Sequence, residues 1–183
     1  MNGAASGQAI GAEAPDFELE TIAGPAQNLY GALEGRQGAV VVFWSSVCSH
    51  CMRYDAYLEG FGSQHPELAL LVVASRPHES AQDIQRAARQ RGLTFPILLD
   101  TGGRVARTWF TEQTPRAFVV DRERKLVYRG AIDNFQFPDD PDYAAYLEPA
   151  VEDLLAGRPV AQPETASFGC AIQSVYYNLP KIL

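Results

Sequence analysis

Two cysteines, Cys48 and Cys51, stand three positions apart in the segment WSSVCSHC. A pair with this spacing can be a structural disulfide, half of a metal site, a haem anchor or a reactive dithiol. Structural zinc needs four ligands, and no second cysteine pair or suitably spaced histidine pair accompanies this one. A c-type haem anchor needs histidine where Met52 stands, and a disulfide between such near neighbours closes too short a loop to stabilise a fold much. The reactive dithiol is therefore the favoured interpretation.

The dithiol follows a strongly apolar run and begins a helical pattern. Residues 39–44, AVVVFW, are continuously apolar and half of them are β-branched, which is typical of a strand buried on both faces. The two serines that follow are good N-caps, so we predict a helix from Val47 or Cys48 through residue 61. A cysteine at a helix N-terminus faces unpaired N–H groups and the positive end of the helix dipole, which favour the thiolate.

These positions predict different roles for the two sulfurs. Cys48 attacks a substrate disulfide, and Cys51, one turn deeper, resolves the mixed disulfide by attacking Cys48. His50 lies between them and adds positive charge, which stabilises the thiolate and makes the oxidised form a stronger oxidant. The alternative is an exposed histidine without effect. Trp44 packs near the dithiol, or is an ordinary core residue at a strand end.

Strands alternate with helices along the rest of the chain, and a hairpin and a helix close the pattern. The main predicted strands are 39–44, 68–74, 116–121 and 126–130. This order predicts an α/β sandwich with a mixed sheet covered on both faces.

The chain is short enough for one domain with ordered extensions. We expect a flexible N-terminus over 1–13, a domain over 14–157 and a C-terminal tail over 158–183. A helix is predicted near 142–157, with Pro149 perturbing it.

Several segments together resemble the thioredoxin superfamily. WSSVCSHC follows a buried strand, Thr114 and Pro115 open a hairpin strand, and the opening APDFEL is similar to the redoxin branch, the alkyl hydroperoxide reductase and thiol-specific antioxidant relatives. The later segments KLVYRGAIDN and LLAGRPVAQPETASFGCAI resemble a group of peroxiredoxin-like bacterial proteins. The resemblance covers residues 14–172.

This resemblance implies a thioredoxin-like three-layer sandwich with a central mixed sheet and helices on both faces. It also implies a cis peptide bond before Pro115 and a substrate-binding role for Thr114 and Pro115. The activity implied is thiol–disulfide oxidoreduction without a cofactor, on protein or small-molecule disulfides and thiols, with a thiol protein as electron donor or acceptor. One departure concerns Val42, which stands where thioredoxins carry a buried Asp, so the usual proton acceptor for Cys51 is missing.

A thiol peroxidase is the main alternative, with peroxides as substrates. Peroxiredoxins place a proline and a hydroxyl residue before the reactive cysteine. Here Ser45 matches the hydroxyl position, whereas Val41 replaces the proline. Arg116 is the candidate residue for polarising the peroxide.

Cys170 is the third sulfur, in the apolar segment FGCAI. We favour a small apolar residue in a tail that packs back on the domain. The alternative is a third redox thiol that exchanges with Cys48 or with a second chain. Binding of Cu(I) through Cys48, Cys51 and His50, or a non-catalytic module on the same scaffold, are further alternatives.

Composition limits the partners. The formal net charge of −7 argues against nucleic-acid binding, since polyanion binding depends on clustered Lys and Arg. The longest apolar run, 39–44, is too short to span a membrane, so no membrane partner is expected. No secretory signal is visible at the start, so the sequence as written indicates the cytoplasm, or the periplasm if a signal was removed.

Overall fold

A computed structural model describes residues 9–172. Within that range the strands are β1 Glu18–Leu19, β2 Gln27–Asn28, β3 Gly38–Trp44, β4 Leu68–Ala74, β5 Ile97–Leu99, β6 Gln113–Thr114, β7 Arg116–Asp121, β8 Leu126–Gly130 and β9 Cys170–Ala171. The helices are α1 Leu29–Ala32, α2 Ser49–Met52, α3 Asp55–Gln64, α4 Ala81–Arg91, α5 Arg104–Thr108 and α6 Leu147–Leu155. None of these helices is long and apolar enough to cross a membrane.

A five-stranded sheet forms the centre of the molecule, in the order β5-β4-β3-β7-β8. β3 pairs in parallel with β4 and antiparallel with β7, so the sheet is mixed. All seven residues of β3 are buried, as its continuous apolar sequence predicts. The predicted main strands are all present, with bounds within one residue of those expected.

Apolar side chains alternate between the two faces of the sheet, because successive side chains of a strand point to opposite sides. One apolar cluster contains Val40, Val42 and Trp44 and residues of α3, α4 and α6. The other contains Val41 and Phe43 and residues of α1 and α5. Helices therefore cover both faces, and the predicted three-layer α/β sandwich of thioredoxin type is confirmed.

The helix predicted after β3 is broken into two. α2 ends at Met52 and α3 begins at Asp55, because Tyr54 has a non-helical backbone (φ −100°, ψ 3°). The predicted serine caps are also wrong: the N-cap residue of α2 is Cys48 itself. The break lets the Tyr54 hydroxyl reach Asp133, a partner distant in sequence that local propensity does not reveal.

The last helix begins five residues later than the predicted start at residue 142, because Ala145 forms a β-bridge with Asp133. Within the helix that forms, Pro149 causes no break. α6 begins at Leu147 and continues to Leu155, so Pro149 lies in its first turn. Backbone N–H groups of the first turn have no acceptor within the helix, and a proline there removes no hydrogen bond.

Both ends of the described chain pack against the sandwich. The Gly11 amide donates to the Leu126 carbonyl at 2.7 Å, and Glu13 forms a β-bridge with Lys125. Gly11 and Glu13 are therefore paired with the rest of the chain, although they lie within the segment expected to be flexible. Residues 1–8 and 173–183 of the predicted flexible N-terminus and tail lie outside the described residues, and the division at residue 158 stays a prediction.

Candidate functional site

The site lies at the end of the central strand β3, where the chain turns into α2. Cys48 has an extended backbone (φ −86°, ψ 114°), and its carbonyl accepts hydrogen bonds from the amides of Cys51 at 3.0 Å and Met52 at 3.1 Å. Cys48 therefore stands at the start of the short helix and Cys51 within it. This is the arrangement predicted from the sequence.

The Cys48 sulfur is surrounded by hydrogen-bonding groups. The Cys51 thiol hydrogen-bonds to it, and Cys170 Sγ lies 2.7 Å away. When Cys48 is protonated, its thiol can donate to the Thr114 carbonyl oxygen, 3.3 Å away. The bond from Cys51 is the principal cause that lowers the pKa of Cys48 to about 4; burial opposes it, and the bond from Cys170 adds to it. Cys48 is therefore a thiolate at neutral pH, as a nucleophile in disulfide exchange requires.

Cys51 has the opposite character. It is fully buried, and burial is the main cause that raises the pKa of its thiol, followed by the adjacent Cys48. A protonated Cys51 can donate its hydrogen to the Cys48 thiolate, so the two shifts describe one shared interaction. The pair consequently holds one negative charge, which is placed on Cys48.

Thr114 and Pro115 lie directly against the dithiol. The peptide bond between them is cis, as the resemblance implies, and Thr114 is buried. The backbone of Thr114 is already paired within the chain, because β6 and β9 are antiparallel with Thr114 opposite Cys170.

His50 contacts Cys170 more directly than the sequence indicated. Its Nδ1 lies 3.6 Å from Cys170 Sγ, and its ring stacks on Phe135 with centroids 4.8 Å apart. Ligand atoms of Cys48, His50 and Cys170 all lie within 4.8 Å of one another. Two sulfurs and one imidazole nitrogen form a donor set that suits Cu(I).

Trp44 and Ser45 support the loop that carries the dithiol. The Trp44 indole donates to Asp55 Oδ1 at 3.2 Å, and the Arg91 guanidinium lies over its ring at 4.9 Å. Ser45 is buried, and its backbone hydrogen-bonds to the Cys51 sulfur. Trp44 belongs to the same apolar cluster as both cysteines, so it packs near the dithiol and is also a core residue.

Arg116 does not face the reactive sulfur. Its guanidinium lies over the Phe118 ring at 5.5 Å and reaches Ser167 Oγ at 3.5 Å. Phe118 and the dithiol belong to apolar clusters on opposite faces of the sheet. Residues two apart on a strand point to the same face of the sheet, so Arg116 lies on the Phe118 face, away from the dithiol. Arg116 is therefore not placed to polarise a peroxide at Cys48, contrary to the expectation.

Cys170 packs against the apolar cluster that contains the dithiol, as the favoured interpretation expected of a tail that packs back on the domain, but it is not simply a buried apolar residue. It is only half-buried, and its sulfur contacts Cys48. The sequence carries no direct signal for this contact, since 122 residues separate the two cysteines. The Tyr54–Asp133 hydrogen bond near the site was likewise missed.

Comparison with known proteins agrees with this geometry. The chain is 27% identical over 118 residues to the thiol-disulfide oxidoreductase ResA of Bacillus anthracis, which covers 64% of this chain and 67% of the relative. An uncharacterized conserved protein from Geobacillus kaustophilus has a similar structure, with a TM-score of 0.80, 25% identity, and coverage of 91% of this chain and 93% of that one. A hypothetical protein from Sinorhizobium meliloti 1021 has a TM-score of 0.79 and 28% identity, with coverage of 90% and 93%.

The family model for AhpC/TSA matches residues 10–129. This match includes the strand that precedes the dithiol, the dithiol itself and the cis-proline segment. It covers more than half of the residues, and the chain belongs to the AhpC/TSA family.

Proposed function

We propose that this protein is a thiol-disulfide oxidoreductase in which Cys48 is the nucleophile and Cys51 the resolving thiol. The observation that carries the proposal is the position of Cys48 at the start of α2 with the buried Cys51 one turn into the helix, where the Cys51 thiol lowers the pKa of Cys48 to about 4. The activity agrees with that named for the ResA relatives. No cofactor takes part, since both electrons pass between sulfur atoms.

The reaction proceeds in two exchanges. The Cys48 thiolate attacks one sulfur of a substrate disulfide, which breaks the substrate bond and releases one substrate thiolate. Cys51 then loses its proton and attacks Cys48 Sγ, which forms the Cys48–Cys51 disulfide and releases the second substrate thiolate. The substrate gains two electrons and the enzyme loses two. The same steps in reverse oxidise a dithiol.

Deprotonation of Cys51 becomes easier at the step where it is needed. In the reduced enzyme the adjacent Cys48 is one cause of its raised pKa. Once Cys48 is in a mixed disulfide it carries no charge, and only burial still disfavours the Cys51 thiolate. This change supports Cys51 as the resolving thiol even though Val42 occupies the usual position of a buried Asp.

The other site residues have supporting roles in the proposal. Thr114 and Pro115 form the substrate-binding surface in the proposal, because the Thr114 carbonyl is 3.3 Å from Cys48 Sγ. A substrate strand there takes the place of β9, which pairs with Thr114 in this structure. Trp44 and Ser45 position the loop, and His50 adjusts the acidity of the neighbouring thiols. Protein or small-molecule disulfides and dithiols are the substrates, and a second thiol protein exchanges electrons with the enzyme.

A trapping experiment tests this function. Reduced Cys170→Ser protein is mixed with oxidised glutathione, and we expect a Cys48–Cys51 disulfide with no bound glutathione. The matched Cys51→Ser/Cys170→Ser variant should instead retain one glutathione on Cys48, and Cys48→Ser/Cys170→Ser should retain none. Intact-mass measurement reads all three results. Retention of glutathione on Cys51 in the last variant would contradict the assigned order of attack.

Peroxide is a further substrate class to be compared in the same system. A Cys48 thiolate can be oxidised by peroxide, but the Arg116 guanidinium lies over Phe118 and not beside Cys48, so it does not polarise a peroxide there. We therefore expect slower reaction of reduced Cys170→Ser protein with hydrogen peroxide than with an equal concentration of a reactive aromatic disulfide, measured by stopped-flow tryptophan fluorescence. Faster Cys48-dependent consumption of peroxide would favour the peroxidase instead.

Binding of Cu(I) is a second candidate function, favoured by the group of Cys48, His50 and Cys170. Soft thiolates prefer Cu(I), and two of them with one imidazole can supply three ligands. The test is titration of reduced protein with Cu(I) in competition with a chromogenic chelator. We expect one equivalent to be held by the wild type and affinity to fall in Cys170→Ser, whereas equal affinity would exclude this donor set.

A further inference from the structure

The proposed nucleophile, Cys48, has no exposed surface. Strand β9 lies over it, with Cys170 Sγ 2.7 Å from Cys48 Sγ. Cys170 is half-buried and keeps part of its surface in contact with solvent. A thiol or disulfide in solution therefore meets Cys170 before it meets Cys48.

The covering strand is held by backbone pairing and by one buried side chain. Thr114 and Cys170 are register partners in the β6–β9 pairing, and the Ile172 amide donates to the Glu112 carbonyl at 2.8 Å. The Ile172 side chain is buried in the apolar cluster that contains Val41 and Phe43. The Cys48–Cys170 contact is thus supported by pairing at Cys170 and by the anchored Ile172 two residues further on.

Gly169 allows β9 to approach this closely. A Cβ atom at this position would lie 1.9 Å from the Thr114 carbonyl oxygen, far inside contact distance. Any other residue must push β9 away from Thr114. The glycine and the cysteine that follows it therefore act together to bring a third sulfur to the dithiol.

We propose that Cys170 is a third redox thiol, which takes over the disulfide from the buried Cys48–Cys51 pair and presents it to external thiols as Cys48–Cys170. The inference rests on the proposed function, because it requires Cys48 to form disulfides. It adds a second disulfide state and an accessible point at which electrons enter.

The transfer is a balanced exchange. The Cys170 thiolate attacks Cys48 Sγ in the Cys48–Cys51 disulfide; the Cys48–Cys170 bond forms, the Cys48–Cys51 bond breaks, and the electron pair leaves on Cys51, which takes up a proton. No net oxidation occurs in this step.

An external thiolate then attacks Cys170 Sγ and expels the Cys48 thiolate, a good leaving group because of its low pKa. A second external thiolate then attacks the external sulfur bound to Cys170. This attack forms an external disulfide and releases Cys170 as a thiolate. The enzyme gains two electrons and the external thiols lose two.

The geometry of the site favours this order. Cys170 Sγ lies 2.7 Å from Cys48 Sγ, the sulfur that it attacks. His50 Nδ1, 3.6 Å from Cys170 Sγ, is placed to accept the Cys170 proton.

Disulfide mapping tests the inference. Trypsin cleaves the chain so that Cys48 and Cys51 fall in the peptide 37–53 and Cys170 falls in the peptide 130–181. Reduced Cys51→Ser protein is treated with oxidised glutathione, its free thiols are blocked, and the peptides are weighed without reduction. We expect most of peptide 37–53 to be joined to peptide 130–181.

Two glycine variants test whether the position of β9, and not only the reactivity of Cys170, determines the rate of disulfide formation. Gly169→Ala in the Cys51→Ser background keeps Cys48 and Cys170 but displaces β9, so we expect the joined peptides to form several-fold more slowly. Gly62→Ala is the control, because a Cβ there meets nothing within 4 Å, and it should leave the rate unchanged. Wild-type protein supplies a measurement without any substitution, in which part of peptide 37–53 should be joined to 130–181.

Two results would overturn the inference in different ways. In the first, Cys51→Ser protein retains glutathione on Cys48 while Cys170 stays free, and the wild type gives no joined peptides. This result overturns the role of Cys170 as a third redox thiol and leaves the proposed function intact. Cys48 that takes up neither glutathione nor Cys170 contradicts the proposed function and the further inference together.

Discussion

The hydroxyl group of Tyr54 donates a hydrogen bond to the buried carboxylate of Asp133, 79 residues further along the chain. Asp133 also accepts from the Phe135 amide at 2.7 Å and lies 3.7 Å from the Arg53 guanidinium. Phe135 in turn stacks on His50. The segment after β8 is therefore attached to the reactive helix just behind its two cysteines.

Removing the Tyr54 hydroxyl should destabilise the protein. Tyr54→Phe leaves the buried Asp133 with one hydrogen bond fewer, and we expect a loss of about 1 to 3 kcal/mol in the free energy of unfolding. Urea unfolding of the reduced protein measures it. Tyr143→Phe is the matched control, since its hydroxyl has no hydrogen bond among the described residues, and should change little. Equal effects of the two substitutions would show that the Tyr54–Asp133 bond contributes nothing specific.

The acidity of Cys48 should depend mainly on Cys51. The hydrogen bond from Cys51 is the principal cause that lowers the pKa of Cys48 to about 4, and the bond from Cys170 is smaller. We therefore expect Cys51→Ala to raise this pKa more than Cys170→Ala does. The pH dependence of thiolate ultraviolet absorbance and of alkylation rate gives both values. A larger rise in Cys170→Ala would reverse the order of the two bonds.

The reduced protein should become more stable as the pH rises from acid to neutral. The folded pKa of Cys48, about 4, lies below that of an unfolded cysteine, so between the two values the unfolded chain binds one proton more. The contribution of Cys48 to the free energy of unfolding is therefore lost as the pH falls toward 4, with a slope of up to about 1.4 kcal/mol per pH unit.

Urea unfolding of the reduced wild type and of Cys48→Ser, between about pH 5 and pH 8, measures this contribution as the difference in slope. The raised pKa values of Cys51 and Cys170 keep both thiols protonated in this window, so they do not add to it. Identical slopes for the two proteins would mean that Cys48 is protonated in the folded state.

His50 should act mainly on Cys170. Its Nδ1 is 3.6 Å from Cys170 Sγ, so His50→Ala should slow formation of the Cys48–Cys170 disulfide several-fold in Cys51→Ser protein. Formation of Cys48–Cys51 in Cys170→Ser protein should slow less. His78→Asn, at an exposed histidine with positive φ that asparagine tolerates, is the control. Equal slowing of both disulfides would instead place the effect of His50 on Cys48, as its position between the cysteines suggested.

The sequence predicts the central sheet and the dithiol well because both depend on local patterns. Continuous apolar strands bounded by turn residues identify β3 and β4, and the position of Cys48 after β3 follows from the helix signal beside it. The break at Tyr54 and the helix start at Leu147 were not predictable in this way. Tyr54 has a partner 79 residues away, and a β-bridge between Ala145 and Asp133 keeps the segment before Leu147 out of the helix.

The third sulfur shows the same limit more sharply. FGCAI is apolar, and composition alone favours a packed residue, whereas the position of Cys170 depends on pairing between β6 and β9 across more than fifty residues. A glycine before a cysteine in a tail is a weak signal by itself. Its meaning becomes clear only when the Thr114 carbonyl is seen at its side.

The long separation between Cys48 and Cys170 also has a consequence for synthesis. A chain emerges from the ribosome from its N-terminus, and domains fold as their residues become available. The last helix of the apolar cluster that holds the dithiol, α6, ends at Leu155, fifteen residues before Cys170. In a nascent chain that still lacks β9, the dithiol is therefore not covered by that strand. Once β9 has been synthesised and pairs with β6, Cys48 is buried and Cys170 lies in contact with it.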